Sequence, residues 1–597
     1  MDKQRLKNFL QTSQFEQALA ELDSIPNTDW TQTYKLRCLR GMGEEAQAVE
    51  FARSLYAEIQ QKSGSPPKPE IADQLRHIAL IFCDGGEPKL GIDILSGLAQ
   101  ARNDNASIMR EYAYALTCDG QLAEAIEQWQ AAICLDPKHV GAHSQLAKLH
   151  CRLGQSEEAY NAYARAATAS EQEAMFIEPM VHWSNHLVST SQQSNYQLAR
   201  LWARKVTRDH DLHSPKLANT PQKHRKIKLG LISIGFYAHA ASFFIKPLLR
   251  NLNRERFEVS AYHESDRNDA VTKQIRNLCT TWHESSKLSI DELQKRIVED
   301  QIDILIDLSG HNPGSRLAIF AKRIAPIQLS WLGYPSTSGL STMDYRITDR
   351  ITDPVGLDDE YYSESLLRLN NGFFCYEPLP TAPEVKPNTR RDGIRFGSFN
   401  NLAKVSPTTL DCWASALRKT PNSTLLMKRH QLKHKQVREF FWSELEKRGI
   451  NRSRVFLEPA TQRIEDHLAR YNDVDLALDT SPYNGSATIL EALWMGVPVI
   501  SLKTQRHAGR ISATILHRLG LSYLSVDSID EFGTVAALQS SDFDKLDKLK
   551  ASLRETMKRS TLLNEKQFGH DFGAALSRQW QLWCDQQCSV KDEAVAF

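Results

Sequence analysis

The sequence predicts an α-helical repeat array followed by two parallel-sheet α/β domains, and three observations carry that prediction. Gly86, Gly120 and Gly154 recur every 34 residues in an otherwise helical region. From Ile227 onward, short apolar runs rich in β-branched residues alternate with helical stretches. A second alternation of the same kind starts at Ile394, after the Pro- and Thr-rich connector TAPEVKPNTRR (381–391).

The repeat is defined by more than its glycines. The same register aligns Ala79, Ala113 and Ala147, then Gly91, Ala125 and Ala159, then Leu95, Trp129 and Tyr163, and it sets Ala132 over Ala166. Small residues at fixed points let paired helices approach, and large ones fill the space between pairs. Pro137 closes the middle repeat after an Asp. Residues 1–60 are also helical (FEQALAELD, GEEAQAVEFARSLYAEI), but their period drifts, as in degenerate repeats or a cap, and SGSPPKP (63–69) separates them from the array. The expected boundaries are 1–70 for degenerate helical repeats, 71–171 for the repeats and 172–225 for a helical linker. Such an array serves either as scaffold or as a concave surface for peptides and partner proteins.

The first α/β half is expected over 226–380. IKLGLIS (227–233) and FEVSAYH (257–263) read as strands, and SIDELQKRIVEDQI (289–302) as a helix with Ser289 as its N-cap. IDILIDLSG (302–310) is almost continuously apolar, as a strand covered on both faces must be. PIQLSWLG (326–333) and DYRITD (344–349) continue the pattern. After a linker (381–393), the second half (394–560) offers IRFGSFNN, STLLMK (423–428), RVFLEP (454–459), DVDLALDT (473–480), VPVISL (497–502) and LSYLSV (521–526) as strands. The remainder, 561–597, contains EKQFGHDFGAALSRQWQLWCDQQ (565–587), an amphipathic helix expected to pack against the body. Two such halves imply a crevice, with ligands at the carboxyl ends of the strands.

Composition narrows the function classes. Lys and Arg number 73 against 72 Asp and Glu, so no global field points to nucleic acid or to an anionic membrane. No window reaches the length of a membrane span, and MDKQRLKNFLQTSQFEQAL lacks the apolar core of a signal peptide, so a soluble, cytoplasmic chain is expected. The ten cysteines are scattered; Cys584 and Cys588 lack further nearby ligands for zinc, and reduced structural thiols are expected.

The stretch DTSPYNGSATILEALWMGVPVIS (479–501) breaks a strand at Ser481-Pro482, turns at Asn484-Gly485 and restarts as a helix. A helix N-terminus there favours an anion. No GxGxxG follows IKLGLIS, which argues against a dehydrogenase, and the absence of GxxxxGK[ST] excludes a P-loop. Residues 72–171 resemble the tetratricopeptide repeat. Together with HNPGSRLAIFAKRIAPIQLSWLGYPSTSGLSTMDYRITD (311–349), FGSFNNLAKVSP (396–407) and DTSPYNGSATILEALWMGVPV (479–499), the chain resembles the O-GlcNAc transferase family, including its bacterial and SPINDLY-type relatives, over residues 72–590. The resemblance implies a tetratricopeptide-repeat solenoid followed by a GT-B glycosyltransferase of two Rossmann-like domains. It implies an inverting, metal-independent transfer from a nucleotide sugar, usually UDP-GlcNAc, to Ser or Thr hydroxyls of proteins, with no cofactor. Protein or peptide acceptors would be held through the repeat groove; no nucleic acid or membrane partner is expected.

The resemblance also assigns residues. Lys404 matches the diphosphate-binding lysine, as the chemistry demands: a diphosphate leaving group gains negative charge and, without a metal, needs cations and N–H donors. Asn401 matches a Gln or Asn near the donor. Asn484 and Gly485 form the turn, Ser486 and Thr488 meet phosphate, and Glu491 accepts the ribose hydroxyls. His467 matches a nucleobase-proximal histidine, with Arg470 assisting; Arg510, in HAGRISAT, is expected to face the crevice. His239 (GFYAHAAS) and His311 (DLSGHNPG) match active-site histidines, and either could act as base or position the reactants. Departures from the family pattern leave the donor open among UDP-GlcNAc, UDP-glucose and GDP-fucose, and keep a non-catalytic, nucleotide-binding scaffold as an alternative. Gly235 stands for an acid, Ala487 for a hydroxyl residue and Glu491 for Asp.

Overall fold

A computed structural model describes residues 6, 9–10, 12–26, 28–62, 69–209, 214–387 and 393–595. Most of the SGSPPKP break, and residues 388–391 of the connector, lie outside them. The chain forms two compact units, one of residues 1–150 and 161–171, the other of 151–160 and 172–597.

The 34-residue period is a helix-pair period. Pro69–Asp84 pairs with Pro88–Ala101 and Ala106–Asp119 with Leu122–Leu135, while the third pair, Val140–Leu153 and Ser156–Ala169, is divided between the units. Each aligned glycine ends the first helix of a pair, with φ of +83° at Gly86, +81° at Gly120 and +78° at Gly154. A side chain is strained in this left-handed region, so glycine is the residue that can turn the chain there. Ala79, Ala113 and Ala147 have no exposed surface, and Trp129 is buried beside them. An earlier pair, Asp29–Met42 and Glu45–Lys62, follows the same plan around Gly43 (φ +74°) with a different spacing.

From residue 172 the larger unit runs through the helices Glu173–Ser184 and Gln192–Asp209 into two sheets. The first lobe contains β1 (Ile227–Ser233), β2 (Phe257–His263), β3 (Thr281–Glu284), β4 (Ile304–Asp307), β5 (Ile327–Ser330), β6 (Tyr345–Asp349) and β7 (Ser365–Leu369), in the order β3-β2-β1-β4-β5-β6-β7. The second contains β8 (Arg395–Ser398), β9 (Thr424–Lys428), β10 (Val455–Glu458), β11 (Leu476–Leu478), β12 (Val499–Leu502) and β13 (Ser525–Val526), in the order β10-β9-β8-β11-β12-β13. Every pairing is parallel, for example Leu229 with Ile304 and Phe396 with Leu425. In both sheets the strand order reverses between the first and fourth strands, β1 and β4 or β8 and β11, the position at which sheets of this kind form a crevice.

Two strands have no forerunner in the sequence reading. β3 (TWHE) is a half-exposed edge strand with a single large apolar residue, and β7 (SLLRL) is a partly exposed edge strand. LSYLSV shrinks to the two residues of β13, since Ser522–Leu524 form a 3₁₀ turn instead.

The last helix, Glu565–Val595, returns to the first lobe. Phe568, Phe572, Leu576, Trp580 and Cys584, four apart along one face, are all buried. The Phe572 ring meets Trp331 at 4.8 Å, and Trp331 in turn donates its indole N–H to the Phe373 carbonyl at 2.7 Å. At Gly569 the approach is so close that a Cβ would lie 2.5 Å from the carbonyl oxygen of Asn251.

Candidate functional site

The turn after β11 is organised by one buried carboxylate. Asp479 Oδ1 accepts the N–H groups of Thr480 and Gly485, both at 2.8 Å. Its Oδ2 accepts the hydroxyls of Ser501 at 2.7 Å and Ser512 at 2.6 Å. Burial raises the Asp479 pKa, and these four donors oppose the rise. The adjoining Asn484 is also buried, donating to Thr480 O at 2.8 Å, so its amide builds the turn. Gly485 is required sterically: a Cβ there would stand 2.6 Å from Asn400 Oδ1 and 2.8 Å from Ile489. The helix Ala487–Trp494 then begins at Ser486, whose side chain makes no capping bond. Its first-turn N–H groups therefore have no side-chain acceptor and the positive end of its dipole is uncovered.

Lys404 comes to this turn from the opposite side. It ends the 3₁₀ turn Leu402–Lys404 after β8, donates from Nζ to the carbonyl of Asn484 at 2.7 Å, and lies over the Tyr483 ring, 3.6 Å from its centre. Burial pulls its pKa down to about 8, with Asp479 opposing and Arg429 reinforcing the drop. Asn401, three residues earlier, is exposed and turns its Oδ1 onto the Ala403 N–H at 3.2 Å, capping the 3₁₀ turn. Its side chain supports the Lys404 loop.

Further along the same edge, Glu491 Oε2 lies 3.5 Å from His467 Nε2, and the His467 ring packs against Phe399 at 5.7 Å and Tyr471 at 5.8 Å. Lys428, the last residue of β9, is buried, donates to the His467 carbonyl at 3.2 Å, and has its pKa pulled down to about 8, chiefly by burial and then by Arg470. Thr488 is held in this group through its carbonyl, which accepts the Tyr471 hydroxyl at 3.2 Å.

Two residues expected at the donor are turned elsewhere. Arg470 forks onto Glu458, at 2.5 and 3.0 Å, and onto Asp473 at 2.5 Å, so its charge is met on the protein. Arg510 donates to the Ile351 carbonyl at 2.9 Å and the Thr504 carbonyl at 3.4 Å, which makes it a tie between the lobes. It joins other ties: His507 to Asp353 at 2.7 Å, Thr514 to Asp349 at 2.8 Å and Arg518 to the Phe374 carbonyl at 2.9 Å. Asp353 is held below the usual carboxylate range: burial alone would raise it, but the pull of His507 and its neighbours wins.

On the first-lobe side, a cavity of about 110 Å³ between the lobes is lined by His239, Leu332, Phe373, Tyr483, Ser486 and His507, among others. His239 follows β1 at the rim; its Nδ1 accepts the Ala241 N–H at 3.3 Å, and burial of the ring lowers its pKa, with Arg267 adding to the effect. His311 is placed differently. It is only 1% exposed, with Nε2 against the Ser338 carbonyl at 2.9 Å and its ring edge-on to Trp202 and Tyr334. It is not among the residues that line this cavity, so the structure brings His239 and Ser486 together and leaves His311 enclosed.

Several residues of this edge were not singled out from the sequence. Tyr483 carries Lys404 on its face. Asp479 sits at the start of the identifying stretch, but only its position after an apolar strand could have marked it as an organiser. His186 is buried with its ring 5.0 Å from Tyr483, the half-buried His182 ring lies 5.3 Å from His186, and desolvation drives both histidines toward the neutral form. They come from the helical linker, where nothing in the sequence pattern ties them to the crevice.

Comparison with known proteins identifies the family. The model of glycosyl transferase family 41 matches residues 186–379 and 384–572. A probable UDP-N-acetylglucosamine–peptide N-acetylglucosaminyltransferase SPINDLY of Petunia hybrida is 33% identical over 407 residues, covering 67% of this chain and 44% of its own. Its Arabidopsis thaliana counterpart is 34% identical over 395 residues, covering 65% of this chain and 43% of its own. The chain thus spans less than half the length of these curated relatives. A solved Thermobaculum terrenum O-GlcNAc transferase, a mutant form, superposes with a TM-score of 0.75 at 28% identity, covering 86% of this chain and 98% of that one. Both Rossmann-like lobes lie within the family match, and the chain belongs to glycosyl transferase family 41.

Proposed function

We propose that this chain is an inverting protein glycosyltransferase that needs no metal and moves a sugar, GlcNAc from UDP-GlcNAc, onto Ser or Thr hydroxyls of proteins. The observation that carries the reading is the meeting of Lys404 with the Tyr483-Asn484 turn, which leads directly into a helix whose N-cap, Ser486, makes no side-chain capping bond. A diphosphate leaving group develops negative charge as the anomeric bond breaks, and a preorganised cation and N–H donors stabilise that charge selectively in the transition state. Lys404 is positioned by Tyr483 and the Asn484 carbonyl before any ligand arrives. In the same reading Thr488 belongs to the phosphate end, while Glu491 and His467 hold the nucleoside. His239 sits on the acceptor side of the cavity, within the crevice where a hydroxyl would attack the anomeric carbon from the face opposite the diphosphate. His311 supports that wall from inside. The names of the family relatives support UDP-GlcNAc as donor and a protein as acceptor.

Among the described residues no helix is long and apolar enough to cross a membrane. The repeats supply the acceptor-holding surface in this reading. The deciding experiment incubates the full chain and a protein extract with UDP-GlcNAc, UDP-glucose or GDP-fucose, following sugar transfer and the thermal midpoint. UDP-GlcNAc should support transfer and raise the midpoint. Transfer from another of these sugars alone would replace the donor, and neither transfer nor stabilisation with any of them would overturn the enzyme reading.

A further inference from the structure

Three cations crowd the carboxyl edge of the second sheet. Lys404 is engaged by the Asn484 carbonyl and the Tyr483 ring, and Lys428 by the His467 carbonyl. Arg429, the next residue after β9, is different. Its backbone is fixed, donating to the Glu458 carbonyl at 3.1 Å. Its side chain makes no hydrogen bond or ion pair among the described residues, and its Nε is buried without a partner. Its electrostatic neighbours are Glu491, Tyr471 and Lys404. The other arginines of this region are committed, Arg470 to Glu458 and Asp473, Arg506 to the Ser184 and Leu187 carbonyls, and Arg510 to the Ile351 carbonyl.

The charge balance of the edge is therefore unmet. Of the carboxylates at this edge, Asp479 already accepts five hydrogen bonds, Glu491 faces His467 and Glu458 is held by Arg470. A half-buried guanidinium with no partner is costly unless an anion completes it, and its planar fork suits phosphate oxygens. We infer that Arg429 is a second cation for the donor's diphosphate, reaching it from the β9 end while Lys404 reaches it from the β8 end. The inference rests on the nucleotide-sugar reading above and adds a residue to it. Two cations from adjacent strands would hold the diphosphate as a bridge, so Arg429 contributes to donor binding as a whole, whatever the sugar.

The test measures binding of UDP, GDP, uridine and guanosine to the full chain by calorimetry, for the wild type, Arg429→Met and Arg429→Lys. For whichever nucleoside diphosphate the wild type binds, Arg429→Met should weaken binding by about tenfold or more, the scale of lost hydrogen bonds to a charged group. Arg429→Lys should recover part of it. Affinity for the matching nucleoside should not change, and that retained binding also shows the variant to be folded. Equal loss for nucleoside and diphosphate would overturn the inference, because Arg429 would then read the base or ribose. So would a Met variant that binds the diphosphate as the wild type does, and either result leaves the donor reading intact. A wild type that binds neither diphosphate overturns the donor reading and the Arg429 role with it.

Discussion

The two lobes share a strand order but finish it differently, and two aspartates show how. Asp307 ends β4 and Asp479 follows β11, the corresponding fourth strand of the other sheet. Both are buried, both accept N–H groups from the loop that follows, and burial raises the pKa of both, that of Asp307 to about 6. The loops differ. Asp307 takes Ser309 N at 3.0 Å and Gly310 N at 2.7 Å, so its loop closes within three residues and leads to the enclosed His311. Asp479 reaches Gly485, six residues on, and two serines beyond it, and its wider loop opens onto the end of a helix. The same carboxylate in the same topological place thus seals one lobe and opens the other. A doubly wound fold fixes where the crevice lies; the length of the loop after the fourth strand sets how open each half of it is.

The sharpest way to break this contrast is Lys404→Ala, which removes the cation aimed at the open loop. Sugar transfer should fall by about a hundredfold to a thousandfold, the scale of losing one preorganised donor in a transition state. The circular dichroism spectrum should stay native, and turnover near the wild-type rate would refute the phosphate role. Next in size, Asp479→Ala should destabilise the protein by about 3 kcal/mol or more, since it strands buried N–H and hydroxyl donors at about 1–3 kcal/mol for each group left unpaired. Asp307→Ala strands two backbone donors and should cost less, as paired urea titrations would show. The reverse order would mean that the sealed loop, and not the open one, depends more on its carboxylate.

A smaller effect concerns pH. With the Lys404 pKa near 8 in the free protein, its charge is lost as pH rises through that value, so donor KM should rise several-fold between pH 7 and 9. Lys404→Arg keeps its charge over this range and should flatten the profile, even though Lys428 titrates in the same window. A Lys404→Arg profile as steep as the wild type would assign the dependence to Lys428. Smallest of all is Arg470→Gln. Because its fork is already met by Glu458 and Asp473 on a partly exposed surface, donor KM should change by less than about twofold.

Much of the fold is legible in the sequence. The aligned glycines announced the helix pairs, because a left-handed turn has few other candidates. The unbroken apolar run of IDILIDLSG announced a strand covered on both faces. Lys404, Ser486 and Glu491 could be placed because they sit in contiguous stretches whose turn chemistry is local. What stayed hidden depends on partners distant in sequence. Nothing near Arg470 shows that Glu458, twelve residues back, takes its fork, and nothing near Arg510 shows that its acceptor is Ile351, a residue of the other lobe. The enclosure of His311 is set by Trp202 and Tyr334, far away along the chain. β3 and β7 escaped notice because edge strands carry little apolar signal.

The returning helix Glu565–Val595 has a consequence for how the protein is made. Its stripe from Phe568 to Cys584 fills the flank of a lobe whose strands end at Leu369. On the ribosome, that lobe must wait with Trp331 and its neighbours uncovered while the whole second lobe is translated. Its completion is thus coupled to synthesis of the second lobe and the helix after it, and a fragment ending before Phe568 would expose a greasy flank to aggregation or chaperone capture. The first lobe is continuous in space but interrupted in time.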